Sequence, residues 1–339
     1  MTDKRMLLVF AHPDDESFGM GATIARYADE GAQIDLICAT NGDAGTVDAE
    51  DLDGYDSVAE LRVAELMCAA EMLGLHHVYR FNYRDSGMAG SPDNDHPDAL
   101  VKADREELVG RIVRVIREVR PQVVVTFDAY GAYGHPDHIL MHETTVAAYH
   151  IAGDPNCYPE QLADGLEPYQ PQRLYAVSRG RVEQLTLRMG ILWMRLRGQD
   201  PRRVGRNKDI DFVAVAEHHY PAHAQINVRR YLEAWNEASG CHSSQGGGLG
   251  SMLPNWAQRL VFGHQMFTQL APPPTSGRAV RDLFEGLPCR RPAHVSRLSV
   301  VPQEVWAQCC GLVDLTPCRA IGVNVTFDFS RYQDYDRPE

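Results

Sequence analysis

The chain has 339 residues, of which 44% are hydrophobic and 23% are charged, as is typical of a folded globular protein with a substantial core. Its formal net charge of −13 disfavours binding to nucleic acid, whose phosphates it would repel. No apolar run reaches the roughly 18 residues of a membrane-spanning helix, and no signal-peptide pattern is visible, so we expect a cytoplasmic protein. The eight cysteines form no CxxC pair, which favours small buried hydrophobes or surface thiols over disulfides and zinc ribbons.

The first half of the chain predicts an alternation of strands and helices. Short apolar runs are typical of strands buried on both faces of a parallel sheet, and helical spacing that ends at glycine or proline marks the helices. In chain order we predict strands at 6–11, 34–39, 77–81 and 122–127, and helices at 19–30, 57–73, 99–119 and 136–151. This alternation predicts an α/β fold: an open, mostly parallel, Rossmann-like sheet with helices on both faces.

The remaining segments are less regular. Two long polar loops, at 41–56 and 85–98, are interpreted either as lids over a site or as plain surface connections. Helices are expected at about 184–198 and 229–240, a turn or linker at 271–277, and a strand-like alternation at 321–329. We therefore predict a main domain over 1–287 and a small, strand-containing extension over 288–339.

Two histidine-containing loops each follow a predicted buried strand: Ala11-His12-Pro13-Asp14-Asp15-Glu16 and Gly134-His135-Pro136-Asp137-His138. Because ligands of open α/β sheets bind beyond the carboxyl ends of the strands, the two loops can face one cleft. They offer four candidate ligands of the types that zinc favours, namely His12, Asp15, His135 and His138. Asp14 must diverge from Asp15 and can accept a proton from a metal-bound water. The alternative is that Asp14-Asp15-Glu16 forms an acidic helix N-cap and that the second loop is an ordinary turn.

The pair of motifs resembles the PIG-L/LmbE-like family of zinc N-deacetylases. Arg84-Asp85-Ser86-Gly87-Met88 is similar to the branch of that family that acts on mycothiol precursors and conjugates, as a deacetylase or an amidase. His242-Ser243-Ser244-Gln245 resembles a late His-x-x-Gln element, and Arg281-Asp282-Leu283-Phe284 resembles a segment near the family's C-terminal end. Together these similarities span about residues 5–287.

The resemblance implies a role for eight residues of this chain. The implied metal ligands are His12, Asp15 and His138, and the implied general base is Asp14. His135 and Tyr133 would assist the tetrahedral intermediate, and Arg62 and Asp85 would contact the substrate. Glu16 and Asp137 are interpreted as carboxylates that orient the ligands.

We therefore expect hydrolysis of an acetamide on an N-acetylated amino sugar or sugar conjugate, which releases acetate and a free amine. One alternative is an amidase that cleaves a larger thiol-sugar conjugate; another is a non-catalytic sugar-binding protein, which predicts a broken centre. The expected cofactor is Zn²⁺, with Fe²⁺ as the alternative. The expected partner is a small N-acetylated sugar, with no nucleic acid and no membrane, and self-association into a homo-oligomer stays open.

The other histidines have plainer interpretations. His142 lies four residues beyond His138 and is assigned to packing or to the surface rather than to a metal. His218, His219 and His223 are assigned to the surface. For His242 two interpretations are about equally favoured: a position near the cleft, or packing at a helix end.

Overall fold

The computed structural model describes residues 4–247, 253–274 and 277–287. Within these ranges seven strands form one sheet in the order β3-β2-β1-β4-β5-β7-β6. The strands are β1 Arg5–Phe10, β2 Gln33–Thr40, β3 His77–Tyr83, β4 Val123–Thr126, β5 Arg173–Ser178, β6 Ala224–Asn227 and β7 His264–Ala271. The first five strands are parallel, and β7 and β6 add an antiparallel edge. The predicted α/β class and the mostly parallel sheet are therefore confirmed.

Helices connect the parallel strands and pack in two groups. α1, α2 and α9 contact one another, and α3 contacts α5. No helix among the described residues is long and apolar enough to cross a bilayer. The helices are α1 Asp15–Asp29, α2 Val58–Leu73, α3 Arg105–Val119, the short distorted α4 Gly131–Gly134, α5 Pro136–Ile151, α6 Pro159–Ala163, α7 Arg181–Leu196, α8 Phe212–Glu217, α9 Leu232–Cys241 and α10 Asn255–Val261, with 3₁₀ turns at Pro92–Asp95, Leu100–Lys102 and Ser243–Gln245.

The helix ends follow from local chemistry. The hydroxyl of Ser57 accepts a hydrogen bond from the Glu60 backbone N–H and caps α2, and Gly74 ends that helix at φ 72°. The predicted helix at 99–119 begins later than expected, at Arg105, because Asp104 caps it and the preceding residues form a 3₁₀ turn. The predicted helix at 136–151 is confirmed at both ends.

The strand order reverses between β1 and β4. From β1 the chain builds outward through β2 and β3, and it then returns to place β4 on the other side of β1. Met6 pairs with Val123 in parallel, so the loops after β1 and β4 leave the sheet at the same edge. Such a switch point forms a crevice in which open α/β sheets bind ligands.

The second half of the sheet was not predicted. β5, β6 and β7 are short or only partly buried, so they lack the continuous apolar run that reveals β1 and β4. The predicted linker at 271–277 overlaps the end of β7. The extension at 288–339 lies outside the described residues, and the division into two units stays a prediction.

The expectation of unpaired cysteines was wrong for part of the set. Cys68 in α2 and Cys241 at the end of α9 form a disulfide across 173 residues of sequence. Cys157 is also disulfide-bonded, whereas Cys38 is free and buried. Sequence spacing cannot reveal the Cys68–Cys241 bond, because it depends on α2 and α9 packing side by side.

Candidate metal centre

Three histidines from the loops after β1 and β4 meet at the sheet edge. His12, His135 and His138 expose 5%, 5% and 1% of their surfaces, and each places a ring nitrogen within 4.8 Å of the others. The ring of His138 stacks on Phe127 with centroids 3.9 Å apart, which fixes the plane of the imidazole. The two loops that the sequence predicts to face one cleft therefore do so.

Donor atoms of His12, Asp15 and His138 lie at ligand-like separations. His12 Nδ1 is 3.0 Å from His138 Nε2. Asp15 Oδ2 is 3.6 Å from His12 Nδ1, and Asp15 Oδ1 is 3.3 Å from His138 Nε2. Ligands of a tetrahedral zinc ion lie roughly 3.3 Å from one another. Two imidazole nitrogens and a carboxylate in this arrangement fit a divalent cation.

Two more carboxylates lie on the other side of the His12 ring. His12 Nε2 is 3.1 Å from Asp137 Oδ2 and 3.4 Å from Asp85 Oδ1. Asp137 also accepts hydrogen bonds from the backbone N–H and the hydroxyl of Ser86, at 3.0 and 2.5 Å. The oxygens of Asp137 are thus already engaged, and the position of this carboxylate suits it to orient the imidazole of His12 rather than to bind a cation.

The cluster favours a bound positive charge. Burial raises the pKa of Asp15 to about 7 and also raises the pKa of Asp14. Burial lowers the pKa of His12, but Asp85 and Asp137 outweigh it and hold that pKa well above its usual range. Burial and the nearby His12 lower the pKa of His135 to about 4. A divalent cation would neutralise the negative charge of the buried carboxylates, as a bound proton does. Protons and metal therefore compete for this centre.

Asp14 diverges from Asp15 and turns to Arg62. Its carboxylate accepts a hydrogen bond from Arg62 Nη2 at 2.9 Å, and its side chain keeps 17% of its surface exposed. Arg62 is itself buried and also donates to the carbonyl of Pro13. A Cβ at Gly42 would lie 2.7 Å from Arg62 Nη1, so this loop needs glycine where the guanidinium passes. The structure therefore places the predicted base beside a predicted substrate contact.

Tyr133 lies beside the histidine cluster on the distorted turn α4. Its ring centroid is 5.0 Å from that of His138 and 5.9 Å from that of His135. The preceding residue, Ala132, has φ 62°, and Arg179 donates to its carbonyl, so the strained turn is held in place. Burial raises the pKa of Tyr133 well above its usual value, so its phenol stays a hydrogen-bond donor.

Asp85 lies against the histidines rather than in an open cleft. Its Oδ1 is 3.4 Å from His12 Nε2 and 3.9 Å from His135 Nε2. Burial raises the pKa of this carboxyl, but His12 outweighs it and holds the pKa well below the usual range. The structure therefore brings together all eight residues of the predicted site, although Arg62 and Asp85 are buried against protein groups.

Sequence reasoning left the place of His242 undecided. This residue is fully buried, and its Nε2 donates to Glu16 Oε1 at 2.7 Å, across 226 residues of sequence. His142 has the packing role that was predicted: its Nδ1 bonds the carbonyl of Phe127 at 2.7 Å. His218 stacks on Tyr130, with centroids 3.7 Å apart.

Comparisons with known proteins connect this site to an activity. A family model described as "PIG-L: GlcNAc-PI de-N-acetylase" matches residues 7–149, which include both histidine loops. A 1D-myo-inositol 2-acetamido-2-deoxy-alpha-D-glucopyranoside deacetylase from Thermomonospora curvata is 38% identical over 306 residues, covering 85% of this chain and 98% of that protein.

Solved structures share the fold at low identity. An N,N'-diacetylchitobiose deacetylase from Pyrococcus horikoshii superposes with a TM-score of 0.54 at 20% identity, covering 79% of this chain and 84% of that one. A 4-carboxy-2-hydroxymuconate hydratase from Pseudomonas putida superposes with a TM-score of 0.50 at 19% identity, covering 81% and 100%. Since these two names describe different reactions, the fold alone does not select the chemistry, and the site must.

Proposed function

The chain belongs to the PIG-L family of de-N-acetylases, and on that premise we propose that it removes the acetyl group from an N-acetylglucosamine joined to inositol, releasing acetate and the free amine. The observation that carries this proposal is the buried group of His12, Asp15 and His138 with Asp14 at its exposed side. The relative with 98% of its length covered is named for that substrate. A non-catalytic sugar-binding protein predicts a broken centre, whereas here every implied residue is present.

The proposed cofactor is Zn²⁺ held by His12, Asp15 and His138, with Fe²⁺ as the alternative that the same donors accept. When bound, such an ion supplies Lewis acidity, which lowers the pKa of water and polarises an amide carbonyl. Asp137 and Asp85 keep the imidazole of His12 oriented from its far side.

Asp14 is the proposed general base. Its raised pKa makes the carboxylate a stronger proton acceptor than a solvated aspartate, and a catalytic base works best with a pKa near the working pH. Arg62 Nη2 holds one oxygen of Asp14, which leaves the other to take the proton from the attacking water. The protonated Asp14 can then return that proton to the leaving amine.

Tyr133 and His135 are the proposed donors to the tetrahedral intermediate. Because the phenol of Tyr133 stays protonated, it donates a hydrogen bond where negative charge develops on the former carbonyl oxygen. His135 lies beside the same histidine cluster and can donate a hydrogen bond through the N–H of its neutral ring. Arg62 and Asp85 are the proposed contacts to sugar hydroxyls.

Product analysis tests the proposal. The zinc-loaded chain is incubated with N-acetylglucosaminyl-inositol, with N-acetylglucosamine alone and with a thiol conjugate of glucosaminyl-inositol, and released acetate and free amine are measured. We expect the highest kcat/KM on N-acetylglucosaminyl-inositol. Preferential cleavage of the thiol conjugate would identify an amidase, and no turnover of any of the three would contradict the proposal.

A further inference from the structure

The strongest unassigned feature is the buried pair of Glu16 and His242. We propose that this pair fixes the backbone of Asp14 and thereby aims its carboxylate, which makes His242 a positioning residue for the reaction. The proposal rests on the role of Asp14 as the base. It assigns a purpose to the late His-x-x-Gln segment, which the proposed mechanism leaves unused.

Asp14 has an unusual backbone that needs support. Its φ of 138° and ψ of −25° lie outside the regions that residues with a Cβ ordinarily occupy. Such conformations persist only where the surrounding structure holds them. The Asp14 N–H donates to Glu16 Oε2 at 3.1 Å, and its carboxylate accepts from Arg62 at 2.9 Å. One contact holds the backbone, and the other holds the side chain.

Glu16 can hold the Asp14 N–H only if its buried carboxylate receives hydrogen bonds from other donors. The residue is fully buried, and an unpaired buried carboxylate is strongly disfavoured. His242 Nε2 donates to Oε1 at 2.7 Å, and the Ser17 hydroxyl donates to the same oxygen at 2.6 Å. The other oxygen, Oε2, is thus left facing Asp14. Without His242, Oε1 of Glu16 would lose the donor at 2.7 Å that holds the carboxylate in this position.

Helix α2 anchors the segment that presents His242. The disulfide from Cys68 fixes Cys241, the residue before His242. Three residues earlier in α2, Glu65 accepts hydrogen bonds from the backbone N–H and the hydroxyl of Ser244, at 2.9 and 2.8 Å. Three residues earlier again lies Arg62, which grips the Asp14 carboxylate. One side of α2 therefore supports Asp14 by two routes. Arg62 contacts its carboxylate directly, and His242 acts on its backbone through Glu16.

A matched pair of substitutions separates positioning from packing. In His242→Gln the side-chain amide nitrogen reaches about as far as Nε2, so the hydrogen bond to Glu16 is retained. In His242→Asn the amide nitrogen stands near the place of Nδ1, which has no partner among the described residues. We expect kcat to fall about 10- to 100-fold in His242→Asn, since small misplacements of catalytic groups cost about that much. We expect His242→Gln to stay within about threefold of wild type, with KM and metal content unchanged in both.

A double-mutant cycle with Asp14→Asn tests whether His242 acts through Asp14. We expect His242→Asn to change the residual rate of Asp14→Asn by less than about twofold. An equal fall in both backgrounds, an equally slow His242→Gln, or loss of metal in His242→Asn would overturn the proposal. If His242→Asn does not fold, Ser244→Ala loosens the same segment, and its effect on kcat must likewise vanish in the Asp14→Asn background. An inactive wild type would instead count against the proposed function, whereas an active wild type with additive mutations would count only against this inference.

Discussion

Two adjacent aspartates have different surroundings at the residue scale. Asp15 is the first residue of α1 and lies beside His12 and His138, whereas Asp14 precedes the helix with a φ of 138° and turns to Arg62. The non-helical backbone at Asp14 separates the two carboxylates, so that one lies beside the histidines and the other lies beside Arg62. A regular helical backbone through both residues would not separate them in this way.

Asp14→Asn keeps the size of the side chain and removes the proton acceptor. We expect kcat to fall by about two to four orders of magnitude, which is the contribution of general base catalysis. Metal content should stay at the wild-type level, because Asp15 and the histidines are untouched. Asp56→Asn, at an exposed loop position, is the control and should keep the wild-type rate. A near-normal rate in Asp14→Asn would move the base elsewhere.

His12→Ala removes one of three proposed ligands, and we expect the bound metal to be lost with it. Chelation of the wild-type protein should abolish turnover, and added zinc should restore it. Metal per chain, measured by atomic emission after gel filtration, checks both outcomes. His96→Ala is the matched control, because that histidine is largely exposed and lies outside the centre. A stoichiometric metal ion in His12→Ala would remove His12 from the ligand set.

At the scale of elements, the centre depends on two connections that strand and helix patterns do not specify. β1 and β4 are neighbours, which brings their loops together. α2 contacts α9, which delivers His242 to Glu16 from the far end of the chain. The strands thus bring the two histidine loops together, and the packing of α2 on α9 adds His242 beside them.

The Cys68–Cys241 disulfide should stabilise the contact between α2 and α9. It closes a loop of 173 residues, and such bonds stabilise a fold by about 2–4 kcal/mol. We expect the double variant Cys68→Ser, Cys241→Ser to unfold at lower denaturant concentration than wild type. A reductant should lower the stability of wild type more than that of the variant, which lacks the Cys68–Cys241 bond. Equal midpoints for wild type and variant would contradict this contribution.

At the scale of the whole molecule, the chain is docked on the main body as far as residue 287. Asp282 accepts hydrogen bonds from Lys4 and Tyr27, and Leu283 and Phe284 are buried in the core. None of the proposed site residues lies beyond that point. Residues 281–287 therefore contact Lys4, just before the first strand, and Tyr27 in the first helix, whatever residues 288–339 contribute.

A chain that ends at Leu287 tests the role of the extension. We expect this truncated protein to lose stability or to change its elution volume, while its folded fraction keeps its metal and its ranking of substrates. Thermal unfolding, gel filtration and kcat/KM on the three candidate substrates measure these properties. A stable truncated protein that prefers larger amides would instead show that the extension is a lid over the cleft.

The sequence by itself determined the class of the fold and indicated the residues of the candidate centre. Continuous apolar runs identify β1 and β4, because a strand covered on both faces admits few polar residues. The loops that follow them contain the candidate ligands and the candidate base, so the sequence indicates which residues to consider before the fold is known.

Only the tertiary structure decided which distant groups meet. The bond between His242 and Glu16, the Cys68–Cys241 disulfide, the place of Asp85 beside His12 and the antiparallel edge of β6 and β7 all join segments far apart in sequence. Periodicity reports how one element is buried, but it does not specify its neighbour. Those neighbours follow from strand order and helix packing, which arise only when the whole chain folds around one core.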